Sequence, residues 1–339
     1  MMKSFWRSSI ILGLLFFIAA SKGNSQQSGF PPTGKLVDAG GHLLHLHVMG
    51  EGKPVVVMEN GSGDFSFIWD LVQPELSKTA TTVSYDRAGF AWSEPGPLPR
   101  SGRQIAYELH TALHNAGING PYILVGQSFG GFLVRYFARY YRSEVAGVVL
   151  VDALNEDSKV IVGGKAMRIR EWAKGQKVPD PQNLPKTAQG NTTTKQADVK
   201  LDTAIEPPLD KLSLKDQKMQ VWYQSQPVYR EAASNEMNWS PEDVADTYAN
   251  RRKPDYLLGD IPLIVISRGN GGYGDMPGAD SLEHERITLQ KDLTHLSTNS
   301  KQIIDKNSGH NIHLEDPATV IDAIKQVIRA YTKHEKLGN

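Results

Sequence analysis

From Pro31-Pro32 onward, short apolar runs alternate with stretches of helical periodicity. In KLVDAGGHLLHLHVMG, a Gly40-Gly41 turn precedes Leu44, Leu46 and Val48, which alternate with His45, His47 and Met49. That is the period of a half-buried strand. Val55-Val56-Val57-Met58 is a continuous run and predicts a strand covered on both faces. Thr81 to Asp86 predicts another strand, and Tyr107 to Ile118 a helix closing at Gly117. YILVG, FLVRYFARYY and VAGVVLVDA follow as strand, helix and strand, while IPLIVIS and KQIID are strand-like. Pro317 to Lys333 predicts a last helix, with Asp316 as its cap. Val320, Ile324, Val327, Ile328 and Tyr331 form its apolar stripe.

Strands alternating with helices predict a mostly parallel α/β sheet covered on both faces, with an antiparallel start where the first strands meet across short turns. The alternation stops between Glu156 and Tyr256. That stretch is polar and Lys-rich, with PDPQNLP, GNTTTKQ and EPPLDK interrupting it. It also carries Trp172, Trp222, Tyr223, Tyr229, Trp239 and Tyr248. A loop of roughly a hundred residues is too long for an ordinary connection, so the predicted organisation is a core of residues 34–155 and 257–339 with a mainly helical cap at 156–256. The competing reading is a partly disordered insertion centred on Pro179 to Pro208.

The first residues change the picture of where the chain works. Lys3 and Arg7 flank Ser8 to Ala20, an apolar stretch shorter than the roughly 20 residues of a membrane span, and SKGNSQQSG follows. Residues 1–25 are therefore expected to be an export signal, the mature form to lack a stable membrane span, and the protein to be secreted or periplasmic. An uncleaved N-terminal anchor is the alternative. Asn191 in NTT and Asn238 in NWS would accept glycans in a eukaryotic secretory route. The 37 basic and 37 acidic residues balance, and no like-charge block points to nucleic acid. There are no cysteines, which removes disulfides, thiolate catalysis and Cys-based metal sites.

Gly126-Gln127-Ser128-Phe129-Gly130 fits G-x-S-x-G between a predicted strand and a predicted helix, the context this motif requires. A serine in so sharp a turn is tolerable only if its neighbours two away lack bulk, and the next helix aims free N–H groups at any anion formed there. A serine hydroxyl needs a base, and His310 in NSGHNIHLEDP lies on a loop after a predicted strand. His313 is the second candidate, nearer the last helix. His42, His45 and His47 alternate with apolar residues on an early strand, which favours packing over metal binding. His110 and His114 are one turn apart but lack the glutamate of H-E-x-x-H, so a solvated helix face is expected and no metal is assigned. Two N–H groups, of Phe129 and of Ser62 in the ENGSGD loop, are the expected oxyanion donors.

QSFGG, the glycine loop, YDRAGFAWSEPG and SGHNIHLEDP together make the chain resemble the α/β-hydrolase superfamily from about Gly34 to Lys333, the cap being least alike. The resemblance implies an eight-stranded sheet with a cap inserted after strand six, an acyl-enzyme and no cofactor. The family order of nucleophile, acid and histidine is kept by Ser128 and His310. The usual acid just after the seventh strand is missing from SRGNGGYGDMPGAD, where Asp275 and Asp280 come late. Some members place the acid after the sixth strand, and Asp152 in VVLVDALNED stands there; Glu156 and Asp157 are further options. The expected activity is cleavage of a small carboxylic ester through Ser128, His310 and Asp152. An aminopeptidase using Glu231 or Glu236 to hold an amine, a C–C bond hydrolase and a lactonase share this triad. Dehalogenases and epoxide hydrolases of the fold use an aspartate nucleophile, against which Ser128 argues. A binding protein that lost catalysis on the same scaffold is the reading from another class.

Overall fold

Eight of the apolar runs pair into one sheet in the computed structural model, which describes residues 29–175, 205–274 and 277–338. The export segment 1–25, most of the Pro179–Pro208 stretch with Asn191, and Asp275 lie outside these residues. The strands are β1 (Lys35–Asp38), β2 (Leu43–Met49), β3 (Val55–Glu59), β4 (Thr82–Tyr85), β5 (Tyr122–Gln127), β6 (Val145–Val151), the hairpin β7 (Lys159–Val162) and β8 (Lys165–Arg168), β9 (Leu263–Arg268) and β10 (Ser300–Asp305). The helices are α1 (Gln73–Leu76), α2 (Gly102–Asn115), α3 (Phe129–Tyr140), α4 (Ile169–Gly175), α5 (Leu214–Ser225), α6 (Pro227–Asn250), α7 (Ala279–Asp292), α8 (Ile312–Glu315) and α9 (Pro317–Lys333). Strand order is β1-β2-β4-β3-β5-β6-β9-β10, and only β2 runs against the rest.

The continuous apolar strands divide their side chains between two cores. Val55 and Val57 of β3 and Tyr122 and Leu124 of β5 join one, packed with Leu109 and Leu113 of α2 and Phe132 of α3. Val56 and Met58, with Ile123 and Val125, join the other, packed with Leu76 of α1 and Val320, Ile324 and Val327 of α9. Burial on both faces is what an uninterrupted Val/Ile/Leu run requires. The Asp316 side chain accepts from the Thr319 N–H, capping α9 as its sequence predicts. Helix α2 begins five residues earlier than its apolar pattern predicts, because Ser101 caps it by accepting from the Gln104 N–H. In β2 the alternation is incomplete: His45 is fully buried and Val48 is exposed. The charge of Asp86, 2.8 Å from His45 Nδ1, supplies the partner that makes burial of His45 tolerable.

The insertion between β6 and β9 is not helical throughout. It opens with the β7–β8 hairpin before α4, α5 and α6. Trp222 and Tyr223 of α5 pack with Phe65, Phe67 and Trp92 of the body in a third cluster, which seats the insertion beside the loop after β3. Among the described residues, no helix is long and apolar enough to cross a membrane.

Candidate active site

Strand β5 delivers Ser128 at the start of α3 with φ 53° and ψ −119°, a conformation a non-glycine residue adopts only under constraint. The Ser128 N–H donates to Val151 O, while its carbonyl accepts from Gly131 and Leu154. These bonds hold the strained turn from both sides. A Cβ on Gly126 would lie 2.5 Å from Gly130 O, and one on Gly130 would lie 2.5 Å from Asn60 O. Both glycines are therefore dictated by packing, as the motif predicts. Ser128 is half-buried.

At the end of β6, Asp152 also takes a positive φ of 42°. It is 4% exposed, and its Oδ2 lies 2.7 Å from His310 Nδ1. Its Oδ1 accepts from the Arg268 N–H at 3.2 Å and from Arg286 Nη1. Burial alone would raise this carboxyl, but the His310 hydrogen bond and the Arg286 and Arg268 charges outweigh it and hold Asp152 below its ordinary value. An ionised Asp152 makes Nδ1 the protonated nitrogen of neutral His310 and leaves Nε2 free to accept. The His310 side chain is 43% exposed, so that nitrogen can be reached.

Among the described residues no hydrogen bond links Ser128 Oγ to His310. The elbow meets the histidine loop through Gln127, whose Nε2 donates to His310 O at 3.2 Å and to Asn311 Oδ1 at 3.4 Å. His313 is unsuited to the role of base. It is fully buried against Trp69, neither ring nitrogen has a hydrogen-bond partner among the described residues, and burial pushes its imidazole down to about 3. None of the described rival acids has a hydrogen bond or ion pair with His310. Glu156 pairs with Arg135 at 2.9 Å, Asp157 with Arg251 at 2.8 Å, and Asp280 lies exposed in the first turn of α7.

The N–H groups of Phe129 and Ser62 are both free of other described backbone hydrogen bonds. Phe129 occupies the first turn of α3, where amides lack helical partners. Asp64, beside the same loop, has its carboxyl pushed up to about 6 by burial, with Arg87 and His310 pulling it down. The three early histidines do not converge: His42 approaches Glu108 at 3.4 Å, and His45 pairs with Asp86. Sequence reasoning missed Arg268, Arg286, Arg87 and Gln127. Arg87, Gln127 and Arg268 at least lie within motifs, whereas Arg286 lies in none, and none of the four contacts is local in sequence.

Residues 54–317 match the model of the alpha/beta hydrolase fold. The chain belongs to this family. Among curated relatives, this chain is 26% identical over 317 residues to a probable transporter of Hormonema carpetanum, covering 87% of this chain and 43% of that protein. It thus spans less than half of the first curated relatives it matches. It is 32% identical over 154 residues to a 2-hydroxy-6-oxo-2,4-heptadienoate hydrolase of Pseudomonas putida, covering 43% of this chain and 52% of that enzyme. Among solved structures, an epoxide hydrolase of Vigna radiata superposes with a TM-score of 0.62 at 17% identity, covering 87% of this chain and 98% of that one. An esterase of Thermogutta terrifontis gives 0.56 at 19% identity, covering 88% and 98%. At these identities the structural likeness speaks for the fold.

Proposed function

We propose that this alpha/beta hydrolase cleaves small carboxylic esters by a Ser-His-Asp mechanism. The observation that carries the reading is the 2.7 Å bond between Asp152 and His310 Nδ1, at the carboxyl end of the strands that also presents Ser128 in its strained turn. His310 Nε2 takes the Ser128 proton as Oγ attacks the ester carbonyl, and returns it to the departing alkoxide. Asp152 stays ionised and stabilises the imidazolium. The Phe129 and Ser62 N–H groups receive the oxyanion. Water then attacks the acyl-Ser128 ester with His310 again as base, releasing the acid. No cofactor enters these steps.

Two observations rank the rival substrates. Glu236 is buried and bound by Arg87, which leaves it unavailable for a substrate amine and weakens the aminopeptidase reading. The 32% identity to the Pseudomonas putida hydrolase keeps C–C bond cleavage as the second reading. A panel of p-nitrophenyl esters, amino-acid anilides and a vinylogous 1,5-diketone separates the three. Ester turnover lost in Ser128→Ala supports the proposal; exclusive turnover of the diketone replaces it with the second reading. Failure of a fluorophosphonate probe to label Ser128 would favour a non-catalytic binding protein. The basic flank, short apolar run and small polar tail of residues 1–25 support export to the periplasm or medium. Equal mass of the full-length and exported chains would defeat cleavage.

A further inference from the structure

Arg87 lies out of solvent between the glycine loop and the insertion. Its Nη1 donates to the Asn60 carbonyl and to Glu59 Oε1, both at 2.8 Å. Its Nη2 donates to the Gly61 carbonyl at 2.8 Å and to Glu236 Oε2 at 3.1 Å, and its Nε to Glu236 Oε1 at 2.7 Å. Glu59 ends β3, whereas Glu236 belongs to α6 of the insertion. We propose that Arg87 is a positioning residue that aims the Ser62 N–H at the oxyanion and, through Glu236, makes that aim depend on the seating of the cap. The inference rests on the serine-hydrolase reading above.

The argument is one of peptide geometry. Every described cis peptide precedes a proline, so Gly61–Ser62 is trans. In a planar trans peptide the C=O and N–H point in opposite directions. A guanidinium fixed on Gly61 O therefore fixes where the Ser62 N–H points, which is away from Arg87. The same cation withdraws charge through that amide and makes its N–H a stronger donor. The loop lies against the elbow: a Cβ on Gly61 would meet Gln127 Oε1, and one on Gly130 would meet Asn60 O. Arg87 also reaches the residue bearing the other donor, its Cζ lying 5.9 Å from the Phe129 ring centre. A buried guanidinium needs anions, and here one comes from the sheet and one from the cap. Tyr229, also in the cap, donates to Gly63 O at 3.1 Å and ties the same loop a second time.

Two variants test this. Arg87→Lys keeps the charge but loses the planar fork, and Glu236→Gln keeps a hydrogen-bonding group but loses the charge. A slowly hydrolysed cinnamoyl ester gives an acyl-enzyme whose carbonyl infrared band reads the donors directly. In wild type the band is expected below its position in the denatured acyl-enzyme. Arg87→Lys should return it toward that position and lower kcat about 10- to 100-fold, part of the ~10²–10³ lost with a whole oxyanion donor. KM and the acid limb of the pH profile should stay near wild type, and Glu236→Gln should move band and kcat the same way by less. A folded Arg87→Lys with the wild-type band and kcat overturns the inference. Should that variant not fold, a wild-type band and kcat in Glu236→Gln overturns it. Absence of any acyl band in wild type defeats the serine-hydrolase reading together with this one, whereas a band unmoved by the variants defeats this one alone.

A separate observation carries a second inference at the amino end of β6. His110 and His114, one turn apart on α2, place their Nε2 atoms 2.8 and 2.9 Å from the two oxygens of Glu144, which precedes β6. The three ligand atoms lie within 4.8 Å of one another, and the His110 ring is held flat on Tyr141 at 3.7 Å. We infer a surface site for a divalent transition metal, with an N₂O donor set that suits Zn²⁺, Ni²⁺ or Cu²⁺ and leaves a position for water. Strand β6 separates it from Asp152, which argues for a stabilising rather than a chemical role. Calorimetric titration of the tag-free protein with Zn²⁺ should show one equivalent bound and a raised Tm. His114→Ala and Glu144→Gln should each weaken binding at least about tenfold, in line with the sensitivity of metal affinity to ligand orientation. No saturable binding, or binding indifferent to both variants, overturns the inference.

Discussion

Two arginine–carboxylate clusters flank Ser128, and they are built differently. On one side, Arg286 of α7 and the Arg268 N–H at the end of β9 hold Asp152, which holds His310. Every partner there belongs to the sheet and the helices after it. On the other side, Arg87 holds the carbonyls of Asn60 and Gly61 but shares its charge between Glu59 of β3 and Glu236 of the insertion. Burial raises the Glu59 carboxyl, and its Tyr85 and Arg87 partners only partly offset that. The Asp152–His310 pair is thus held from the sheet and α7, while the glycine loop is held in part from the insertion.

The comparison can be broken at several points. The largest effect is expected for Ser128→Ala, which should drop ester turnover to the detection limit with the melting temperature unchanged. Asp152→Asn should follow with a loss in kcat of about 10⁴, the magnitude seen when a triad carboxylate becomes an amide and the imidazole takes the wrong tautomer. Arg286→Met should act through Asp152. With that charge gone, burial raises the Asp152 carboxyl, so the acid limb of kcat/KM should move to higher pH. Arg87→Lys should leave that limb in place, and an equal shift in both variants would erase the distinction between the clusters.

The smallest expected effect is on stability. Burial pushes folded His313 down to about 3, from the ordinary histidine value of about 6.5 that applies in the unfolded chain. Between those values the unfolded chain binds a proton the folded chain refuses, so stability is present above pH 6.5 and falls as pH drops toward 3. His313→Phe removes that term while keeping a ring against Trp69. It should raise Tm at pH 4 to 5, leave it near wild type at pH 8, and spare ester turnover. Loss of turnover would return His313 to the site.

How much was legible followed the range of the interactions involved. The nucleophile turn could be read because its demands are local: glycines two residues away on either side and a helix directly after it. Helix α9 could be read because cap, proline and apolar stripe lie in consecutive residues. Helix α6 could not, since Pro241 falls in its interior and no apolar face runs along it. The pattern favoured Asp152 from its place at the end of β6, but left Asp275, Asp280, Glu156 and Asp157 open, because no local feature separates these carboxylates. The choice turned on which carboxylate met His310 across 158 residues.

The chain's own pattern determined the alternating architecture, the position of Ser128 and the pair of histidines from which a base must come, because each follows from periodicity or steric fit within a few residues. The tertiary structure decided the rest: that Asp152 meets His310, that His313 is sealed against Trp69, that Arg87 joins cap to glycine loop, and that Glu144 meets His110 and His114. Those outcomes depend on which charges a folded interior brings face to face, and a buried charge is tolerated only where its partner arrives.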